Sequence, residues 1–73
     1  MMILVTMIDV NEGRDVIGVF SDMENATAAI QYTALRINLT VKPPTQWGVF
    51  ETSDSHIYFI ASEVEINENV YSD

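Results

Sequence analysis

The chain has 73 residues, 48% of them hydrophobic, and carries 11 Asp and Glu against 3 Lys and Arg for a formal net charge of −8. That length supports one domain over residues 1–73, and the apolar content is too high for a disordered tail. With no cysteine and one histidine, His56, disulfides, thiolate metal sites and structural zinc are excluded, and no cofactor is expected.

In chain order, Ile3-Leu4-Val5-Thr6-Met7-Ile8 is rich in β-branched residues and reads as a first strand. No basic segment precedes it, so it does not read as a secretory leader, and no run reaches the length of a membrane span. Together with the absent cysteines this points to the cytoplasm. Asn11-Glu12-Gly13-Arg14-Asp15 is a turn cluster and Val16-Ile17-Gly18-Val19-Phe20 a second strand, giving a β-hairpin. Gly18 inside that strand marks a bulge or a close approach by the helix.

Ser21-Asp22-Met23-Glu24 has the S-x-x-E form of a capping box, with Ser21 as the cap. The helix it opens runs from about Asp22 to about Asn38, with Arg36 at the pole that favours a cation. Lys42-Pro43-Pro44 forbids its continuation. Trp47 to Glu51 reads as a third strand, Thr52-Ser53-Asp54-Ser55 as a turn, and Ile57 to Ala61 as a fourth strand extending through Ile66. Alternation beginning near Ala61 and Ser62 predicts a strand leaving the core centre for an edge, through a bulge. The order β-β-α-β-β predicts an α+β fold, a small antiparallel β-sheet with one helix packed on one face.

The helix has two apolar stripes. Met23, Ala26, Ile30, Ala34 and Ile37 share one side, and Ala28, Tyr32, Leu35 and Leu39 form another. Ile30 and Tyr32 lie about 200° apart around the axis, so one sheet face cannot bury both stripes. The intervening Thr27, Gln31 and Thr33 are uncharged. The second stripe is expected to meet another subunit, a twofold homodimer being the default. The alternative is that residues 42–47 fold back over Tyr32 and Leu35.

Catalytic motifs are missing. The glycines at 13, 18 and 48 are isolated, so there is no phosphate loop, and no G-x-S-x-G elbow exists. Ser53, Ser55, His56 and Asp54 adjoin in one turn, a poor arrangement for a nucleophile–base–orienter relay, and nothing supplies an oxyanion hole. Asp9, Glu12 and Asp15 lack the form of a calcium loop and read as a solvated hairpin tip. Trp47, Phe50, Tyr58 and Phe59 could stack bases, but no basic groove accompanies them. The chain reads as a binding protein and not as an enzyme.

Charge is segregated along the chain. Residues 25–50 hold no acid, whereas 51–73 hold Glu51, Asp54, Glu63, Glu65, Glu68 and Asp73 with no Lys or Arg. Such a field repels nucleic acid and anionic membranes and attracts basic protein surfaces. Glu63 and Glu65, two apart on a strand, should form a carboxylate row about 7 Å in step, continued by Glu68 and flanked by Glu51 and Asp54. Such a row can imitate a nucleic-acid backbone, with Tyr58 or Trp47 as an apolar anchor. The alternative is that the charge serves only solubility and that the apolar helix stripe makes a structural or regulatory contact.

Val16-Ile17-Gly18-Val19-Phe20-Ser21-Asp22-Met23-Glu24-Asn25-Ala26, a strand ending in a capped helix, resembles a group of small bacterial and phage proteins. In these a V-I-G-V-[FY]-S strand precedes an E-x-A helix start. The chain departs from them in lacking a Lys- and Glu-rich helix surface. In size, acidity and lack of catalytic residues it is also similar to phage-encoded DNA mimics that block the bacterial histone-like protein HU. That likeness implies a basic, nucleic-acid-binding host protein as partner, in the bacterial cytoplasm, with no direct contact to nucleic acid or membrane.

Overall fold

The computed structural model describes residues 2–64. They form β1 (Met2–Asp9), β2 (Gly13–Phe20), α1 (Met23–Arg36), β3 (Val49–Glu51) and β4 (Ile57–Val64). The four strands make one antiparallel sheet in the order β2-β1-β4-β3, and α1 packs on one face of it against β1, β2 and β4. This is the expected α+β, β-β-α-β-β architecture.

Strand alternation divides the sheet into two unlike faces. Ile3 and Val5 of β1, Phe59 and Ala61 of β4, and Phe50 of β3 point toward the helix and are buried. Ala26, Ile30 and Ala34 of the helix meet them, closing a core that Met7, Ile17, Phe20, Leu39 and Val41 flank. Small residues at 26 and 34 let the helix sit close while Ile30 supplies the bulk. Burying a side chain such as Ile30 or Val5 contributes roughly 1.5–3 kcal/mol.

The helix start is shifted by one residue from the expected capping box. Asp22, not Ser21, is the cap: its extended backbone holds Oδ1 2.8 Å from the Asn25 N–H. A carboxylate is the stronger acceptor and also gains from the helix dipole. At the other end, Asn38 takes a left-handed φ of 60°. The Leu39 N–H then donates to the Ala34 carbonyl at 2.9 Å, and that of Asn38 to Leu35 at 3.1 Å. This paired closure reverses the chain at the helix end and turns Leu39 inward.

Of the two bulges expected, the one beside Gly18 is present and the one in β4 is not. The β1–β4 register runs without a break from Met2–Val64 to Asp9–Ile57. The shift is in β2, where Val5 pairs with Gly18 and Thr6 with Val16, leaving Ile17 extra. Gly18 flanks that bulge, and the ring of Phe20, not the helix, closes over it. The expected edge does form: β1 accompanies β4 to Val64, but beyond the Ala61 N–H bond to the Gly48 carbonyl (2.9 Å) no strand pairs the other side of β4 among the described residues.

Trp47 falls in a turn before the third strand, and residues 42–47 do not fold over the helix. They run along β3, with Lys42 N–H donating to Glu51 (2.8 Å) and Thr45 N–H to Val49 (2.9 Å). Pro43 and Pro44 thus lie outside β3, where missing donors blunt an edge.

Candidate acidic interaction surface

β1 ends where β4 begins, and the Val10 N–H donates to the His56 carbonyl at 3.0 Å. The β1–β2 and β3–β4 turns therefore lie side by side at one end of the sheet. Asp9, Glu12, Asp15, Glu51 and Asp54 belong to this turn end, and so do Arg14 and Lys42. Two of the acids serve their own turns. Asp9 Oδ1 accepts the Asn11 N–H at 2.9 Å, and Asp54 Oδ1 accepts that of His56 at 2.8 Å. The buried Thr52 hydroxyl closes the second turn, lying 2.9 and 2.8 Å from the Asp54 and Ile57 carbonyl oxygens and accepting the Asp54 N–H at 3.1 Å.

An open cleft of about 430 Å³ sits beside this turn, lined by Lys42, Val49, Glu51, Asp54 and Tyr58 among others. His56 Nδ1 is 3.3 Å from Asp54 Oδ1, but the relay goes no further among the described residues. Ser53 Oγ instead accepts the Thr40 N–H at 3.1 Å. No group of three or more candidate metal ligands forms among the described residues.

At the opposite end the balance differs. Glu63 pairs with Ile3, which pairs with Phe20, so these three form one row on the helix side. Glu63 is thus two strand spacings, about 10 Å, from the strand that feeds the helix. Asp22 and Glu24 follow that strand at the helix start, exposed. Arg36 is about 20 Å further along the helix axis, and its guanidinium lies 5.9 Å from the Tyr32 ring centroid. Asp22, Glu24 and Glu63 therefore form a helix-start end with no Lys or Arg among the described residues. Past Val64 the sequence adds Glu65, Glu68 and Asp73 with no base.

The expected single strip is accordingly split. Glu51, Asp54 and Tyr58 line one cleft, but Glu63 lies five residues from Tyr58 along β4, about 17 Å, and on the other face. Glu65 and Glu68 lie outside the described residues. Asp22 and Glu24, assigned from sequence only to helix capping, join Glu63 instead. Their membership depends on the β2–β1–β4 pairing, which no local pattern shows. Among the described residues no carboxylate lies within ion-pair distance of Lys or Arg; the one such contact is His56–Asp54.

The second helix stripe divides too. Tyr32 and Leu35 are 64% and 71% exposed, and Ala28 is exposed beside them. Leu39 is not part of that surface, because the closure at Asn38 tucks it against the core. No helix among the described residues is long and apolar enough to cross a membrane. No protein-family model, curated protein or solved structure matches the chain.

Proposed function

We propose that this protein is an anionic binding module that engages a basic protein surface of the kind that otherwise holds a nucleic-acid backbone, acting in the bacterial cytoplasm. The observation carrying this reading is that Asp22, Glu24 and Glu63 share one end of the fold with no Lys or Arg among the described residues, while the chain continues from there into further acidic sequence. Carboxylates not neutralised within the molecule keep their field available to a cationic partner. The likeness in size and charge to phage-encoded DNA mimics supports the same reading, with a nucleic-acid-binding host protein as the partner.

The test is capture from bacterial lysate by the immobilised protein at low and at high salt, followed by elution with duplex DNA. Basic proteins should be retained at low salt and released by either treatment. Glu24→Lys with Glu63→Lys should abolish retention. Retention that ignores both salt and the double reversal would refute the reading.

A second reading rests on Tyr32 and Leu35, left uncovered on the outer side of α1. Here the helix face makes an apolar regulatory contact and the charge confers solubility alone. Leu35→Glu would abolish that contact and spare the first.

A further inference from the structure

The sheet face turned away from α1 is covered by nothing in the chain's described residues. Its side chains, by register, are Met2, Leu4, Thr6 and Ile8 of β1 and Tyr58, Ile60, Ser62 and Val64 of β4. Val16 and Val19 of β2 and Val49 of β3 widen it. Val16 is 66% exposed. Trp47, 64% exposed, lines a shallow hollow with Val49 and Glu51 at the β3 margin. For a protein of net charge −8 this is a broad apolar surface almost free of charge.

Arg14 and Glu51 are the ionised side chains that β2 and β3 place on that face, with Lys42 and Asp54 lining the cleft beside Glu51. Arg14 pairs with Ile8, Ile8 with Tyr58, and Tyr58 with Glu51. These four form a single row across the sheet, with the cation on one edge strand and the carboxylate on the other. Within one chain they are three strand spacings apart, about 14 Å, too far to pair.

We infer that this face is a self-association surface, and that a second copy of the chain stacks on it as a twofold, sheet-on-sheet sandwich whose axis runs along the strands. Rotation about that axis exchanges left and right edges but keeps each row at its own level. It therefore sets β2 over the partner's β3 and Arg14 over the partner subunit's Glu51, and the same pair recurs at the other edge. A twofold axis across the strands would place β2 over β2 and leave both charges unmatched. Aligned sheets pack about 10 Å apart, a gap that an Arg and a Glu reaching from opposite sides can bridge. The row thus has the self-complementarity that an isologous interface requires.

Three strands of eight residues and a fourth of three project to roughly 430 Å², before side-chain relief and the Trp47 margin are added. That approaches the lower range of specific interfaces, about 600 Å² per partner. Trp is also the residue type most enriched at interface hot spots.

Analytical ultracentrifugation of the full chain, with Trp47 emission followed on dilution, tests the arrangement. At about 100 μM the wild type should sediment at twice the chain mass, and its sole tryptophan should shift to the red as the dimer dissociates. Arg14→Glu or Glu51→Arg alone turns two attractions into two repulsions and should raise the dissociation constant about tenfold or more. The two together exchange the charges and should restore wild-type affinity. A monomeric wild type at that concentration would overturn the inference. So would a dimer insensitive to both single reversals, a double variant no tighter than the singles, or dissociation by Leu35→Glu. None of these results depends on the basic partner, so this inference and the proposed function can fail separately.

Discussion

Gly48 is the position where the fold leaves least room. Its φ is +78°, and a β-carbon built there would run into the Ala61 carbonyl oxygen. Its own carbonyl accepts the Ala61 N–H, the last bond that β4 receives on its β3 side. Gly48→Ala therefore meets two penalties. Holding an L-residue in the left-handed region costs about 1–2 kcal/mol. Relieving the collision also strains or breaks the Ala61 bond, about 1 kcal/mol more. Gly13 provides the internal control, because its φ is +108° but nothing lies within 4 Å of its missing β-carbon. Gly13→Ala should show the conformational penalty alone. For a domain of this size each kcal/mol lowers Tm by about 4–8 °C. Gly13→Ala should thus fall by roughly 4–16 °C, and Gly48→Ala by at least about 4 °C more. Thermal unfolding by circular dichroism, at one protein concentration, reads both. Equal shifts for the two variants would show that the approach of Gly48 to Ala61 carries no energetic weight.

The cap assignment predicts that Asp22→Ala costs about 1 kcal/mol and Ser21→Ala almost nothing, measured by urea denaturation. Thr52→Val leaves the Asp54 N–H without its partner inside a closed turn and should cost about 1–3 kcal/mol in the same assay. Leu39→Ala should destabilise well beyond Leu35→Ala, which removes an exposed side chain and should stay within about 0.5 kcal/mol of wild type. Were the order of the two leucines reversed, the inward turn at Asn38 would be mistaken.

The elements and their order were legible because each carries a local signal: β-branched runs, a cap sequence, a proline pair. Local signals also account for the misplacements. Ser21 and Asp22 are both competent caps, and choosing between them depends on where the strand releases the chain. Leu39 keeps helical spacing with Leu35, yet Asn38 adopts a left-handed φ that reverses the chain between them. Gly18 did mark the bulge in β2, where Ile17 turns inward out of step, whereas the apolar run of β4 concealed its unbroken register. The acidic surface was the least legible feature. Charge counted along the sequence put Glu51 and Asp54 with Glu63, whereas antiparallel pairing sends them to opposite ends of β4 and brings Glu63 toward Asp22 and Glu24. The apolar outer face of the sheet was likewise hidden, because central strands that are apolar on both sides look the same whether or not a second layer covers them.

The two proposed interactions respond to salt with opposite sign, and this separates them in one experiment. A basic partner is held by long-range attraction to the acidic ends, so its affinity should fall as salt rises. Self-association brings two chains of formal charge −8 together through a face that is almost wholly apolar. An axis along the strands places like ends of the two copies at the same end of the sandwich, so Asp22, Glu24 and Glu63 approach their counterparts. With the layers stacked helix, sheet, sheet, helix, those carboxylates lie on the order of 20–30 Å apart across the dimer. At 0.01 M salt the screening length is about 30 Å and the repulsion is felt; at 0.15 M it is about 8 Å and the repulsion is largely lost. The Arg14–Glu51 contacts are short and lose much less over that range. The dimer should therefore tighten between about 0.01 and 0.15 M salt while capture of the basic partner weakens, both measurable by sedimentation on the same sample. A dimer that loosens in step with the partner would mean that ion pairs, not the apolar face, hold the copies together.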